Sequence, residues 1–348
     1  MKTADSRKVM VAMSGGTDSS AAALLLQRQG LEVEGLTMLL HDGEAKGLKT
    51  GEEAVRSAAE VCLRLGIKHR CRDYRKEFRK LIMDSFIEGY LAGRTPNPCV
   101  LCNRDIKFGL FLKAASESGF PYMATGHYAR VIDGRLYRGL DPEKDQSYFL
   151  NSVKRSSLIK TLFPLGEMYK EEALKEVLSS GIKEEKPSES QDICFIPGGD
   201  YREFLRHEGI KSIPGDIVDD TGLKVGEHSG IINYTVGQRK GLGAFGERMF
   251  VTGVQPSSNR IEIGKREDLL KKRLSTGPVN YTGKCPEKGE EYGLCIRYRA
   301  PVVKAEIIEF SSGGMKLAVP EGCGPVTPGQ SAVLYEGGRV VAGAVILG

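Results

Sequence analysis

The stretch that most limits what this chain can become is Val9-Met10-Val11-Ala12-Met13, followed at once by Ser14-Gly15-Gly16-Thr17-Asp18-Ser19 and then by Ser20-Ala21-Ala22-Ala23-Leu24-Leu25-Leu26-Gln27. An unbroken apolar run of this kind reads as a buried strand, and the alanine- and leucine-rich segment behind it as a helix. Gly30 stands where a helix C-terminus favours positive φ. The predicted order is strand, glycine-rich turn, helix. Two adjacent glycines let the backbone approach a ligand closely, and the first helical amides have no intrahelical acceptor, so an anion, most often a phosphate, is the natural occupant.

The flanking residues narrow the choice of phosphate ligand. The Lys-Ser/Thr pair of a Walker loop is missing here, and the spacing does not fit the dinucleotide fingerprint. Ser-Gly-Gly-x-Asp-Ser instead resembles the pyrophosphate loop of the ATP pyrophosphatase superfamily, in which the loop holds the pyrophosphate of ATP while a substrate oxygen attacks the α-phosphate. Leu31–Leu40 and Ile67–Tyr74 read as further strands, with Glu53–Leu65 an amphipathic helix between them. Alternating strands and helices predict an α/β fold with a doubly wound parallel sheet, whose ligands bind beyond the carboxyl ends of the strands. Met38 falls at such an end, as a core residue or against an adenine.

At 348 residues the chain is long enough for two or three domains. The boundaries read from the change in character are 1–200, 201–270 and 271–348. A net charge of +5 is compatible with an acidic partner, but neither half is a polycationic arm. With no apolar run of bilayer length and no signal-peptide core at Met1–Lys8, the expectation is a cytoplasmic protein without a membrane partner. Eight cysteines in that setting read as thiols, metal ligands or catalysts before disulfides.

The second focus is Gly93-Arg94-Thr95-Pro96-Asn97-Pro98-Cys99-Val100-Leu101-Cys102-Asn103-Arg104, where Gly93 stops the helix Phe78–Tyr90 and two prolines stiffen the turn. A single Cys-x-x-Cys can be half a zinc site, part of an iron–sulfur site, a redox pair or chance. Far along the chain stands Cys194, in Glu189-Ser190-Gln191-Asp192-Ile193-Cys194-Phe195-Ile196. Cys99, Cys102 and Cys194 are expected on turn-rich segments where exposure favours the thiolate. Cys62, Cys71, Cys285, Cys295 and Cys323 are expected to act as small buried hydrophobes.

A fourth strand, Pro121–Thr125, delivers Gly126-His127-Tyr128-Ala129-Arg130 at its end, and a polar turn, Asp141-Pro142-Glu143-Lys144-Asp145-Gln146-Ser147-Tyr148, follows. From about Tyr201 glycines punctuate short segments, among them the basic turn Gly237-Gln238-Arg239-Lys240-Gly241-Leu242-Gly243. Alternating runs at Glu291–Tyr298, Val302–Phe310, Met315–Val319, Ser331–Tyr335 and Arg339–Leu347 predict a small antiparallel β-barrel.

Taken in order, Ser14–Ser19, Asn97–Asn103, Thr125–Arg130, Lys144–Leu150, Ser190–Phe195 and Gly237–Gly243 resemble the motifs of the tRNA-specific 2-thiouridylase family over nearly the whole chain. The resemblance implies an ATP- and magnesium-dependent enzyme that replaces the C2 oxygen of the wobble uridine with sulfur. It implies that Ala12, Met13, Ser14, Gly15, Gly16, Thr17, Asp18, Ser19, Met38 and Gly126 hold ATP, with Asp18 also counted in the catalytic set. Cys102 would be the nucleophile and Cys194 the persulfide carrier, the two ending as a disulfide. Asn97, Pro98 and Cys99 would lie at the target base, and His127, Lys144, Asp145, Gln146, Arg297, Tyr298 and Gln330 would touch tRNA. A cysteine desulfurase or sulfur carrier would be the second partner.

Many relatives carry Asp where this chain has Cys99, so three thiolates, Cys99, Cys102 and Cys194, are available for a [4Fe-4S] cluster. The rival readings are an ATP pyrophosphatase-type ligase or amidotransferase acting on a small molecule, which leaves the cysteines and the barrel without purpose, and a noncatalytic RNA-binding protein, against which the intact Ser14–Ser19 loop speaks.

Overall fold

The computed structural model describes residues 7–42, 51–182 and 193–348, and the elements counted here lie within them. Ser190–Asp192 of the cysteine motif and most of the N-terminal stretch read for a signal peptide lie outside the described residues. The apolar run forms β1 (Lys8–Ala12), followed by β2 (Glu32–Leu39), β3 (Lys68–Asp73), β4 (Tyr122–Ala124), a hairpin of β5 (Ala129–Ile132) and β6 (Arg135–Arg138), and β7 (Thr161–Leu162). β3-β2-β1-β4-β7 is a parallel sheet with β1 in the middle. The chain leaves β1 with β2 on one side and β4 on the other, so the loop after β1 stands at the switch point where such sheets bind ligands.

Alternation along β1 explains why the run is apolar throughout. Val9 and Val11 face α1 (Thr17–Arg28) and α2 (Gly51–Leu65), while Met10 faces Phe108, Phe111 and the C-terminal residues Val333, Tyr335 and Val340. Both faces are covered, and Val9, Met10 and Val11 are fully buried. Gly30 takes φ +77° and Gly93 φ +67°, as helix stops require.

Residues 75–91 are continuously helical, with a π-helical turn at Arg79–Met83. Residues 98–117 form a second helix, whose middle, Cys102–Phe111, is π-helical. Cys102 therefore lies on a helix, not on the expected turn, and is 8% exposed. The reason is the apolar spacing of Cys102, Ile106 and Phe195, which pack in one cluster with Phe78, Ile82 and Phe86.

The central segment forms a four-stranded sheet from Gly215–Val218, Lys224–His228, Phe250–Gln255 and Arg260–Gly264. The C-terminal segment is antiparallel, with Glu291–Cys295, Val303–Ser311, Gly314–Cys323, Ser331–Glu336 and Arg339–Val345 close to the runs read from sequence. The β5–β6 hairpin joins that sheet through the Tyr137–Arg339 pair and the Arg138 N–H to Gly338 carbonyl bond of 2.8 Å. The first and last parts of the chain thus share one sheet.

Candidate active site

The glycine-rich loop after β1 is shaped by its smallest residues. Gly15 has φ +69°, and a Cβ there would lie 2.6 Å from Ser57 Oγ and 2.9 Å from the Ala58 nitrogen, so only glycine lets the loop press against α2. Gly16 caps α1 in extended conformation with no side-chain cap bond. Ser19 and Ser20 both turn their hydroxyls onto the Gly16 carbonyl, at 3.1 and 2.8 Å. These bonds use hydroxyls and a carbonyl, and the uncapped N-terminus keeps its partial positive charge for an anion.

Asp18 in the first turn of α1 is held from two sides. The Tyr128 hydroxyl donates to Asp18 Oδ1 at 3.1 Å, and the Lys170 ammonium pairs with the same oxygen. Gly126 closes the loop: its Cβ would lie 2.6 Å from the Asp18 carbonyl carbon. Gln146 supports this arrangement from behind, because its Oε1 accepts the Tyr128 N–H at 3.0 Å. Asp145 is used within its own turn, accepting the Gly139 and Ser147 N–H groups at 3.0 Å each. Lys144 is half-buried beside them. Met38 is packed against two core clusters at once, one holding Met10 and Leu36 and the other Cys102.

His127 follows Gly126 directly. It is buried, with Nδ1 and Thr125 Oγ1 2.7 Å apart and its ring against Phe108 and Phe163. Burial, with the Lys107 ammonium adding to it, holds the imidazole well below its usual range, so it is neutral. The turn that closes the nucleotide loop therefore also touches the helix that carries Cys102.

Cys194 reaches that helix through its neighbour. Phe195 packs edge-on to Phe78, Phe86 and Phe204, with ring centroids 5.7, 5.5 and 5.2 Å apart. Each such pair contributes about 1 kcal/mol beyond area burial. With Phe195 plugged into the Cys102 cluster, Cys194 lies close enough for Cys102 and Cys99 to act on its charge. Exposure does not favour ionisation here, contrary to expectation. Burial pushes the Cys102 thiol up to about 11, with Lys107 pulling against it, and raises Cys99 likewise. Cys194 is open at the surface as a residue, yet the protein crowded round it pushes its thiol up to about 12, with Cys102 and Cys99 adding to the effect. Of the five cysteines expected to be buried, Cys62, Cys295 and Cys323 are; Cys71, on the edge strand β3, is exposed and Cys285 half-buried.

Among the described residues no three His, Cys, Asp or Glu side chains are grouped so as to hold a metal ion. Cys99, Cys102 and Cys194 are near enough for their charges to act on one another.

The loop before Cys99 is held at a junction of all three parts of the chain. Asn97 caps the helix, accepting the Val100 N–H at 3.4 Å, and Pro98 is its first residue. Just before it, the Thr95 N–H donates to the Pro328 carbonyl at 2.8 Å and the Gln330 Nε2 donates to the Thr95 carbonyl at 2.8 Å. Thr95 Oγ1 meets Thr235 Oγ1 of the central segment at 3.3 Å. Gln330 is thus a clamp on this loop. Tyr298 packs at a tilt against Phe149, ring centroids 4.4 Å apart, and the exposed Arg297 donates to Thr327 Oγ1 at 3.2 Å.

The basic glycine-flanked turn lines a recess of about 800 Å³ in the central part, with Arg202, Arg206, Arg239 and Lys240 around one carboxylate, Asp200. Lys107 and Lys170 belong to no motif in the sequence, and the parts that Thr95 and Phe195 play here are not visible in the motifs that hold them. Among the described residues no helix is long and apolar enough to cross a membrane.

Three family models match the chain: a tRNA methyl transferase HUP domain over residues 7–198, a tRNA methyl transferase PRC-barrel domain over 202–265 and an aminomethyltransferase beta-barrel domain over 271–346. Among curated relatives, the tRNA-specific 2-thiouridylase MnmA of Roseiflexus sp. (strain RS-1) is 39% identical, covering 97% of this chain and 99% of its own. That of Geotalea uraniireducens (strain Rf4) is 40% identical over 98% and 95%. A solved structure, the U34-tRNA thiolase NcsA from Methanococcus maripaludis with its [4Fe-4S] cluster, shares 19% identity and a TM-score of 0.36 over 58% of this chain and 67% of its own. At that score it bears on neither the fold nor the chemistry of this chain.

Proposed function

The chain belongs to the tRNA-specific 2-thiouridylase family and is a tRNA-uridine 2-sulfurtransferase, and from that premise we propose how its residues divide the work. The loop Ala12–Ser19, with Met38 and Gly126, binds ATP as a substrate. The glycine-tight loop pressed against α2 and the uncapped first turn of α1 suit its phosphates. Asp18 is then the carboxylate nearest those phosphates, suited to a bound magnesium ion once Lys170 yields it. A uridine turned out of the single-stranded anticodon loop presents its C2 oxygen, which leaves poorly until it is adenylated.

The observation that carries this reading is the sharing of one turn. Gly126 rests on Asp18 while the next residue, His127, packs on the helix of Cys102, to which Phe195 brings Cys194. A nucleotide and two sulfurs can therefore serve one pocket. In the proposed transfer, the outer sulfur of a persulfide on Cys194 attacks C2 and AMP leaves with the former oxygen. The Cys102 thiolate then attacks the inner Cys194 sulfur. The S–S bond of the persulfide breaks, its outer sulfur stays on the base, and a Cys102–Cys194 disulfide forms, to be reduced by an external thiol.

Asn97, Pro98 and Cys99 border the base in this reading. His127, Lys144, Asp145, Gln146, Arg297, Tyr298 and Gln330 serve the tRNA contact, in part by holding the loops that make it, as Gln330 and Gln146 do. Residues 1–200 would carry adenylation and sulfur transfer, 201–270 would dock tRNA and 271–348 would complete the interface. A cytoplasmic enzyme supplied by a cysteine desulfurase or sulfur carrier completes the proposal.

The test incubates the enzyme with unmodified tRNA, ATP, magnesium and a sulfur source, and follows retardation in a mercury-containing gel. Cys102→Ser and Cys194→Ser are expected to abolish retardation while ATP binding persists. Retardation that survives either change would remove the two-sulfur route. Amide formation on a small molecule would leave the tRNA at its normal position.

A further inference from the structure

One charged side chain in the sulfur pocket has no part in the chemistry described so far. Lys107 lies five residues beyond Cys102 within the π-helical stretch Cys102–Phe111. In that geometry the repeat runs i to i+5, so the two residues fall on one face, and π-helical turns concentrate at functional sites. Ile106 and Phe108 on either side are buried, at 0% and 3% exposure. Lys107 is half-buried between them and, among the described residues, makes no hydrogen bond or ion pair. Lys107 pairs with no carboxylate among the described residues, so its charge is left to act on the nearby sulfurs.

Among the described residues, Lys107 is the cation that recurs around the pocket. Lys107 acts on Cys99, Cys102, Cys194 and His127. The groups acting on Cys102 are Lys107, Cys99 and Asp105, and Asp105 is already taken by Arg104 at 2.7 and 2.8 Å. Those acting on Cys194 are Cys102, Cys99 and Lys107. His127 is neutral. Among the described residues, the cation that acts on a thiolate or persulfide anion formed here is Lys107.

We propose that Lys107 is the positioning cation of the sulfur pocket: its ammonium, set beside Cys99, Cys102 and Cys194, holds the negative charge that appears on these sulfurs when a proton leaves for solvent. It acts through the cysteines and not on the base or the nucleotide. The inference rests on the reading that Cys102 and Cys194 carry the sulfur chemistry. It accounts for a half-buried lysine with no partner among the described residues, and for how sulfurs that burial keeps protonated can still react near neutral pH.

The test uses the full-length enzyme without ATP or tRNA, alkylated with iodoacetamide between pH 6.5 and 10 and read peptide by peptide by mass spectrometry. Burial places both thiols far above neutrality, so the native rates at Cys102 and Cys194 rise with pH across most of that range. Lys107→Met is expected to slow both sites at pH 8 by about tenfold, equivalent to a profile displaced upward by about one pH unit. The exposed Cys71 should be unchanged and serves as the internal control for folding. Lys107→Arg keeps the charge and should restore the native profile. Profiles for Lys107→Met that superimpose on the native ones overturn the proposal, as does a slowing that Lys107→Arg shares. Thiolation that survives Cys102→Ser or Cys194→Ser would overturn the relay itself, a result independent of the alkylation profiles.

Discussion

Gly15 shows most simply how one residue decides a site. Its φ of +69° and the 2.6 Å that would separate a Cβ there from Ser57 Oγ mean that any side chain must push the loop off α2. Gly15→Ala is expected to weaken ATP binding by about tenfold or more, because the left-handed backbone and the close contact each cost on the order of 1 kcal/mol. Calorimetric titration with ATP checks it; an unchanged Kd would mean that the nucleotide does not use this loop. The cysteines show the opposite, since the same residue type meets different fates by position. Cys62 and Cys323 are buried thiols at about 11 with no charged neighbour acting on them, whereas Cys102, at about the same value, has Lys107 beside it. What separates a reactive candidate from an inert thiol here is the cation, not the exposure.

At the scale of elements, the segment 93–98 is placed by three neighbours. Pro96 packs on Gly89, where a Cβ would come within 2.8 Å of it, and Gly93 packs on Pro256 of the central segment. Gly329 lies against Thr95 at φ +93°, with a Cβ position 2.9 Å from the Thr95 carbonyl oxygen. Gly329→Ala therefore moves the loop that presents Asn97, Pro98 and Cys99 while leaving the nucleotide loop alone. Turnover in thiolation is expected to fall about tenfold to a hundredfold, with the KM for ATP unchanged, since misplacements near 1 Å have effects of that size. Steady-state kinetics with ATP and tRNA varied separately decide it; a rise in the ATP KM alone would contradict this placement. The Phe195 anchor works in the same way for Cys194, fixing by aromatic packing a sulfur that the chain itself leaves far from Cys102.

Over the whole molecule, charge is spread thinly, with a net +5, yet the central recess gathers Arg202, Arg206, Arg239 and Lys240 around a single Asp200. Arg239 and Lys240 are exposed. If tRNA docks there, releasing counterions from its backbone, the log–log salt dependence of binding should lose about one unit of slope for each cation removed. The double change Arg239→Glu and Lys240→Glu is expected to weaken tRNA binding at low salt and flatten its salt dependence without altering ATP binding. Filter binding over a salt series tests it, and a slope equal to that of the native enzyme would move the docking face elsewhere. The shared sheet adds a further coupling, because the hairpin at 129–138 begins next to the turn of Gly126 and ends in hydrogen bonds to the C-terminal strands.

The order of strands and helices, the phosphate-type loop, the helix stops at Gly30 and Gly93 and the alternating strands of the C-terminal part were legible in the sequence, because each rests on local periodicity or on backbone freedom that a few neighbouring residues specify. The tertiary structure alone decided that Cys102 lies buried on a π-helical face, that Phe195 carries Cys194 to it, that Gln146 and Gln330 act as clamps, and that Lys107 shares the π-helical stretch of Cys102. Those facts depend on residues far apart in the chain and on a helical repeat that no spacing rule announces. Burial and charge are properties of the folded neighbourhood, so the reactivity of these cysteines could be assigned only after that neighbourhood was known.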